Sequence, residues 1–121
     1  MKILIKQGRV MDPAQKLDEI LDVVIEDGTI AKVGKALKEN GSTVIQAKEK
    51  IVIPGLMDLH THLRQPGRED KETLLTGSRA ALRGGFTTLC AMPNTNPSCD
   101  NEGVVEFLYA ESRKIGLVHI L

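Results

Sequence analysis

The stretch Ile51–Arg64, IVIPGLMDLHTHLR, limits the fold of this chain more tightly than any other. A short apolar run passes through Pro54-Gly55. Polar residues then return at Asp58, His60, His62 and Arg64, each two positions apart. Side chains on an extended strand alternate between its faces, so a strand over Leu56–Leu63, with Arg64 just beyond it, presents these four together. Met57, Leu59, Thr61 and Leu63 then back the opposite face. An Asp-His-His-Arg face on an apolar-backed strand suits the wall of a polar, metal-holding cavity better than a solvated sheet surface.

Two imidazoles at positions i and i+2 are attached about 6.6 Å apart, twice the strand rise. Both rings can reach one ion at the usual zinc–nitrogen distance of about 2.0–2.1 Å. Neutral imidazole suits zinc, iron, nickel or cobalt. Asp58 on the same face could orient a ligand by accepting its second N–H. An isolated His-x-His is more often a pair of ordinary histidines. Here two of the chain's three histidines sit together just after Pro-Gly, which favours the metal reading. The third, His119, has apolar neighbours and reads as a core residue.

Length and charge narrow the class further. The 121 residues amount to one small domain by length. Lys+Arg and Asp+Glu balance at 16 each, which gives no electrostatic footprint for nucleic acid or an anionic membrane. No apolar run approaches transmembrane length, and Met1–Lys6 is too short and charged for a signal peptide. Cys90 and Cys99 lack zinc-type pairing or a secreted disulfide framework, which points to reduced thiols and the cytoplasm. With two Phe, one Tyr and no Trp, the core must be built from Leu, Ile, Val and Ala.

The chain changes character at Pro54-Gly55. Before it, residues 1–53 read as short strands. Lys2–Lys6 alternates, and Asp22–Glu26 and Thr29–Val33 flank Asp27-Gly28, a strong hairpin signal. Thr43–Gln46 and Lys50–Ile53 are further strands of what reads as an antiparallel module. After the boundary, residues 54–121 read as strand Leu56–Leu63, a helix over Lys71–Arg83 capped by Asp70, and a buried strand Phe86–Met92. A second helix over Glu102–Ile115, capped by Asp100 or Asn101, precedes a third strand Leu117–Leu121. Leu74, Leu75, Ser78, Ala81 and Leu82 form the packed stripe of the first helix. Val104, Val105, Leu108 and Ile115 form that of the second. This alternation is how an α/β barrel begins. Three strands leave an open sheet edge, and such a barrel needs eight, so the sequence reads as the amino-terminal part of a larger, truncated barrel.

The run PGLMDLHTHLRQPG resembles the first barrel strand of the amidohydrolase superfamily, whose pattern is Pro-Gly-x-x-Asp-x-His-x-His. His62-Leu63-Arg64 with Pro66-Gly67, then Gly84-Gly85-Phe86-Thr87-Thr88 and Met92-Pro93-Asn94-Thr95, resemble the dihydroorotases that carry an amino-terminal extension. The resemblance covers the whole chain. It implies a small β-sandwich part followed by the first units of a TIM-type barrel. It implies one or two zinc ions, with His60 and His62 as ligands and Arg64 and Asn94 binding the substrate carboxylate. The implied reaction interconverts dihydroorotate and N-carbamoyl-L-aspartate in pyrimidine biosynthesis. The remaining ligands and the catalytic Asp of the family would come from later strands, so none of these 121 residues is assigned a catalytic role and the chain alone is expected to be inactive. Allantoinase or dihydropyrimidinase, and a non-catalytic scaffold of aspartate carbamoyltransferase, are the alternatives. The implied partners are the small-molecule substrate, the rest of the barrel, and either a second copy or that carbamoyltransferase.

Overall fold

In the computed structural model, which describes every residue from Met1 to Leu121, the chain divides after Pro54 into two units, each with its own sheet. In the first, β1 (Lys2–Asp12), β2 (Leu17–Glu26) and β3 (Thr29–Gly34) are antiparallel neighbours. Asp27 and Gly28 have φ of 49° and 83°, the left-handed pair that a two-residue hairpin needs. β4 (Thr43–Gln46) and β5 (Ile51–Val52) join the other edge of β1, and both run parallel to it. The module is therefore mixed, not antiparallel as the sequence suggests. The 35–42 connection carries the chain past β2 to the far side of β1, so β4 keeps the direction of β3 and runs parallel to β1.

Val10, Leu21 and Val23 form the buried centre of this sheet, with Ile5, Leu17, Ile25 and Val52 packed against them. Asp22 is buried beside them, and its two oxygens do structural work. They accept the N–H of Gln7 at 2.8 Å and of Leu37 at 2.9 Å. The β1–β2 ladder breaks between Ile5 and Gly8, and Gln7 and Ala36 both have positive φ. Asp22 thus satisfies donors that a bulge and a left-handed step turn away from the ladder. Arg9 grips Asp18 with two bonds of 2.7 Å and holds its carboxyl below the usual carboxylate range. Both groups are exposed, so the pair adds little stability.

The second unit contains β6 (Leu56–Thr61), α1 (Leu74–Arg83), β7 (Phe86–Ala91), α2 (Glu102–Ile115) and β8 (His119–Ile120). The strands are parallel in the order β6-β7-β8, so each helix is a crossover. Leu63, Leu74, Leu89, Leu108, Val118 and Ile120 make the core. The first helix starts later than expected. Its cap is Thr73, which accepts the Thr76 N–H while Thr76 answers the Thr73 N–H, and Asp70 stays outside in a turn. Asn101 caps α2, and Gly116 ends it with φ 61°. Leu75, Leu82 and Val105 lie on exposed faces rather than in the expected stripes. His119 is exposed as well. With Val118 and Ile120 in the core, alternation sends it to the other side. No helix is long and apolar enough to cross a membrane.

Replacing Asp22 by Ala should leave two inward-turned N–H groups without a partner, at a cost of about 2 kcal/mol or more. Asp22→Asn, which keeps one acceptor oxygen, should cost less. Urea unfolding checks this: the midpoint should fall in that order with an unchanged slope.

Candidate metal and substrate site

Parallel strands end on the same side of a sheet, and β6 and β7 end next to one another. Met92 N–H donates to the Thr61 carbonyl at 2.9 Å, beyond the last residue of β7. The loops that follow the two strands therefore start as neighbours. They carry all four residues singled out in the sequence, His60 at the strand end and His62, Arg64 and Asn94 beyond.

The strict alternation expected over 58–64 does not hold. The β6–β7 ladder skips between Asp58 and Thr61, which leaves one extra residue on β6. Asp58 Oδ1 accepts the backbone N–H of His60 at 2.9 Å, so this oxygen serves the bulge and not an imidazole. The imidazoles nevertheless lie together. The ring centroids of His60 and His62 are 5.1 Å apart with planes at 70°, and both residues are exposed. His62 Nδ1–H donates to Asn94 Oδ1 at 3.0 Å. That bond selects the tautomer of His62 whose Nε2 keeps its lone pair.

The strand stops at Thr61, and Arg64 is not part of it. Arg64 has φ 63°, and the Gln65 N–H donates back to the Leu63 carbonyl at 2.7 Å. This is a three-residue turn with positive φ at its centre, a rare and strained form. A side chain held there costs on the order of 1–3 kcal/mol. The flanking residues hold it. Leu63 is buried over Gly77, where a Cβ would come within 2.6 Å of Leu63 Cδ2. Gln65 Oε1 accepts the N–H of Leu74 at 2.9 Å. Further along, Gly67 has φ 92°, and its N–H donates to both carboxylate oxygens of Glu69. A Cβ on Gly67 would collide with the Asn96 carbonyl, and Asn96 N–H donates to the Pro66 carbonyl at 2.9 Å. The two loops are docked at this point.

The structure thus brings His60, His62 and Asn94 together. Arg64 is half-buried and takes part in none of the ion pairs of the chain. No three side chains among His, Cys, Asp and Glu gather in a way that could hold a metal ion. Two imidazoles are fewer than the three protein ligands of a catalytic zinc site, so these residues fit part of a ligand set. The roles of Gln65 and Gly67 escaped sequence reasoning. The Pro66-Gly67 pair signals a turn, but nothing local reveals that the Gln65 amide oxygen reaches a helix nine residues on.

The profile of the family described as Dihydro-orotase-like matches residues 49–121. The chain is 49% identical over 121 residues to a dihydroorotase of Geobacter sulfurreducens, covering 99% of this chain and 28% of that protein. It is 44% identical to a dihydroorotase of Aquifex aeolicus, covering 100% of this chain and 29% of that one. Among solved structures it resembles a D-hydantoinase with a TM-score of 0.71 and 31% identity, over 98% of this chain and 25% of that chain. The chain therefore spans less than a third of the relatives it matches.

The tautomer of His62 is directly measurable. Long-range ¹H–¹⁵N correlation of the neutral ring should show a protonated Nδ1 and a bare Nε2. In Asn94→Ala that preference should disappear, with Nε2–H becoming the major form.

Proposed function

The chain belongs to the dihydro-orotase-like family, and on that premise we propose that it forms the amino-terminal part of a zinc-dependent cyclic amidohydrolase acting on dihydroorotate. In this reading residues 1–53 belong to a small β-sandwich and 54–121 open a TIM-type barrel. His60 and His62 are two of the metal ligands, and Arg64 and Asn94 bind the substrate. The remaining ligands and the proton-transferring carboxylate come from the rest of the barrel. The proposed setting is the cytoplasm, with a second copy or aspartate carbamoyltransferase as the protein partner.

One observation carries the proposal: the spacing of the two rings. His60 and His62 would both reach one zinc ion at the usual zinc–nitrogen distance of about 2.0–2.1 Å. The rings stand 5.1 Å apart. The bond from His62 Nδ1 to Asn94 supports the same role, because it leaves Nε2 as the donor atom.

One or two zinc ions, when bound, lower the pKa of water toward neutrality and polarise the amide carbonyl. The residues of this chain place the substrate. The Arg64 guanidinium offers two parallel N–H donors to the ring carboxylate. Asn94 has committed Oδ1 to His62, and its Nδ2 is left to donate to the same carboxylate. Water adds across the ring amide C–N bond to give N-carbamoyl-L-aspartate, and the reverse reaction closes the ring with loss of water. Similarity to a D-hydantoinase supports a second reading, turnover of hydantoin-type rings or of allantoin. A guanidinium fork favours the carboxylate-bearing ring. Retention of both histidines speaks against a scaffold that has lost its metal.

The test joins this chain to the part of the Geobacter sulfurreducens relative beyond the matched stretch. The joined protein should hold zinc and turn over dihydroorotate faster than hydantoin or allantoin, whereas the 121 residues alone should do neither. His60→Ala or His62→Ala should lower kcat by more than about 100-fold, beyond the loss of a mere orienting partner. Arg64→Ala should raise KM by about 10- to 100-fold, the worth of a charged hydrogen-bonded pair. Preference for an uncharged ring would sink the assignment.

A further inference from the structure

We propose that Gln65 is a positioning residue: by binding the first turn of α1 it fixes the strained turn at Arg64 and so aims the guanidinium at the carboxylate of a small anionic substrate. The proposal rests on the reading that Arg64 binds that carboxylate.

A three-residue turn with positive φ does not persist unless its surroundings over-determine it. Here two anchors straddle Arg64, and both lead to the same helix. On one side Leu63 is 2% exposed and seated against Gly77 of α1. On the other, Gln65 Oε1 accepts the N–H of Leu74, the first residue of α1. Helix starts leave such N–H groups without partners, and Leu74 is fully buried, so water cannot supply one. The Thr73 hydroxyl is already spent on the Thr76 N–H. Gln65 is therefore the acceptor that the helix start requires, and its own backbone N–H closes the turn at 2.7 Å. One residue does both, so helix position and turn geometry are coupled. Gln65 commits its side-chain oxygen to the helix, whereas the Arg64 side chain enters none of the chain's own ion pairs. An arginine held on a fixed backbone loses less freedom when it meets a carboxylate. The effect belongs to binding and hence to KM, not to the chemical step.

The experiment uses Gln65→Met, which keeps length but loses the acceptor, and Gln65→Glu, which keeps it. In the joined enzyme described above, Gln65→Met should raise KM for dihydroorotate by about tenfold or more with kcat within about twofold. Gln65→Glu should restore KM to near the native value. In the 121-residue chain, a strong intraresidue HN–Hα NOE at Arg64 should report positive φ in the native protein and in Gln65→Glu, and be lost in Gln65→Met. That second measurement needs no activity. A joined enzyme that is inactive with native Gln65 overturns the dihydroorotase reading and the substrate half of this proposal with it. An active one in which Gln65→Met leaves KM unmoved, or a Gln65→Met chain in which Arg64 keeps positive φ, overturns the positioning role alone.

Discussion

Parallel pairing of β6 with β7 brings two carboxyl ends to one place, and the rest of the candidate site depends on it. The Met92 N–H reaches the Thr61 carbonyl just where both strands stop. From there the chain can set His62 against Asn94, 32 residues away in sequence. An antiparallel pair would put the two ends at opposite edges of the sheet, and no loop of this length would join them. The crossover helix α1 is what makes the parallel arrangement affordable. Its buried face, Leu74 and Ser78 with Gly77 between, covers the sheet and receives Leu63 from the strand end.

The same packing holds a strained backbone. Arg64 adopts a conformation that isolated chains avoid, and it is flanked by a leucine sealed in the core and an amide locked to a helix start. Strain of this kind concentrates where a side chain must be presented in one direction. Beyond the turn, Gly67 lets the backbone lie against the Asn96 carbonyl, which ties the Arg64 loop to the Asn94 loop. The core does not touch the proposed substrate. It acts by removing freedom from the residues that would.

Much of this could be read from the residues themselves. The paired histidines, the Asp27-Gly28 hairpin, the α2 cap at Asn101 and the division near Pro54 all follow from local signals. Period two failed after Asp58, because a bulge adds a residue and the strand ends at Thr61. No local pattern announces such a bulge; it is set by how β6 must sit on β7. The Asp70 cap failed for a similar reason. Asp70 is a good cap in isolation, yet the helix is capped at Thr73, where a capping box with Thr76 forms and Gln65 Oε1 accepts the N–H of Leu74. His119 is different: its exposure was legible, since Val118 and Ile120 on either side are core residues and a strand alternates.

A D-hydantoinase and a dihydroorotase are both similar to this β-α-β start, so the fold alone cannot choose the substrate. The choice falls to side chains on the loops after β6 and β7. On the proposed reading Arg64 makes it by asymmetry. A carboxylate satisfies the guanidinium fork, whereas a ring without one leaves a partly desolvated cation unpaired, and such a loss discriminates far more strongly than an extra methylene in an apolar pocket. The sharper the orientation of that cation, the larger the discrimination. Substrate choice and the strained turn at residue 64 are then one property, seen once in chemistry and once in backbone geometry.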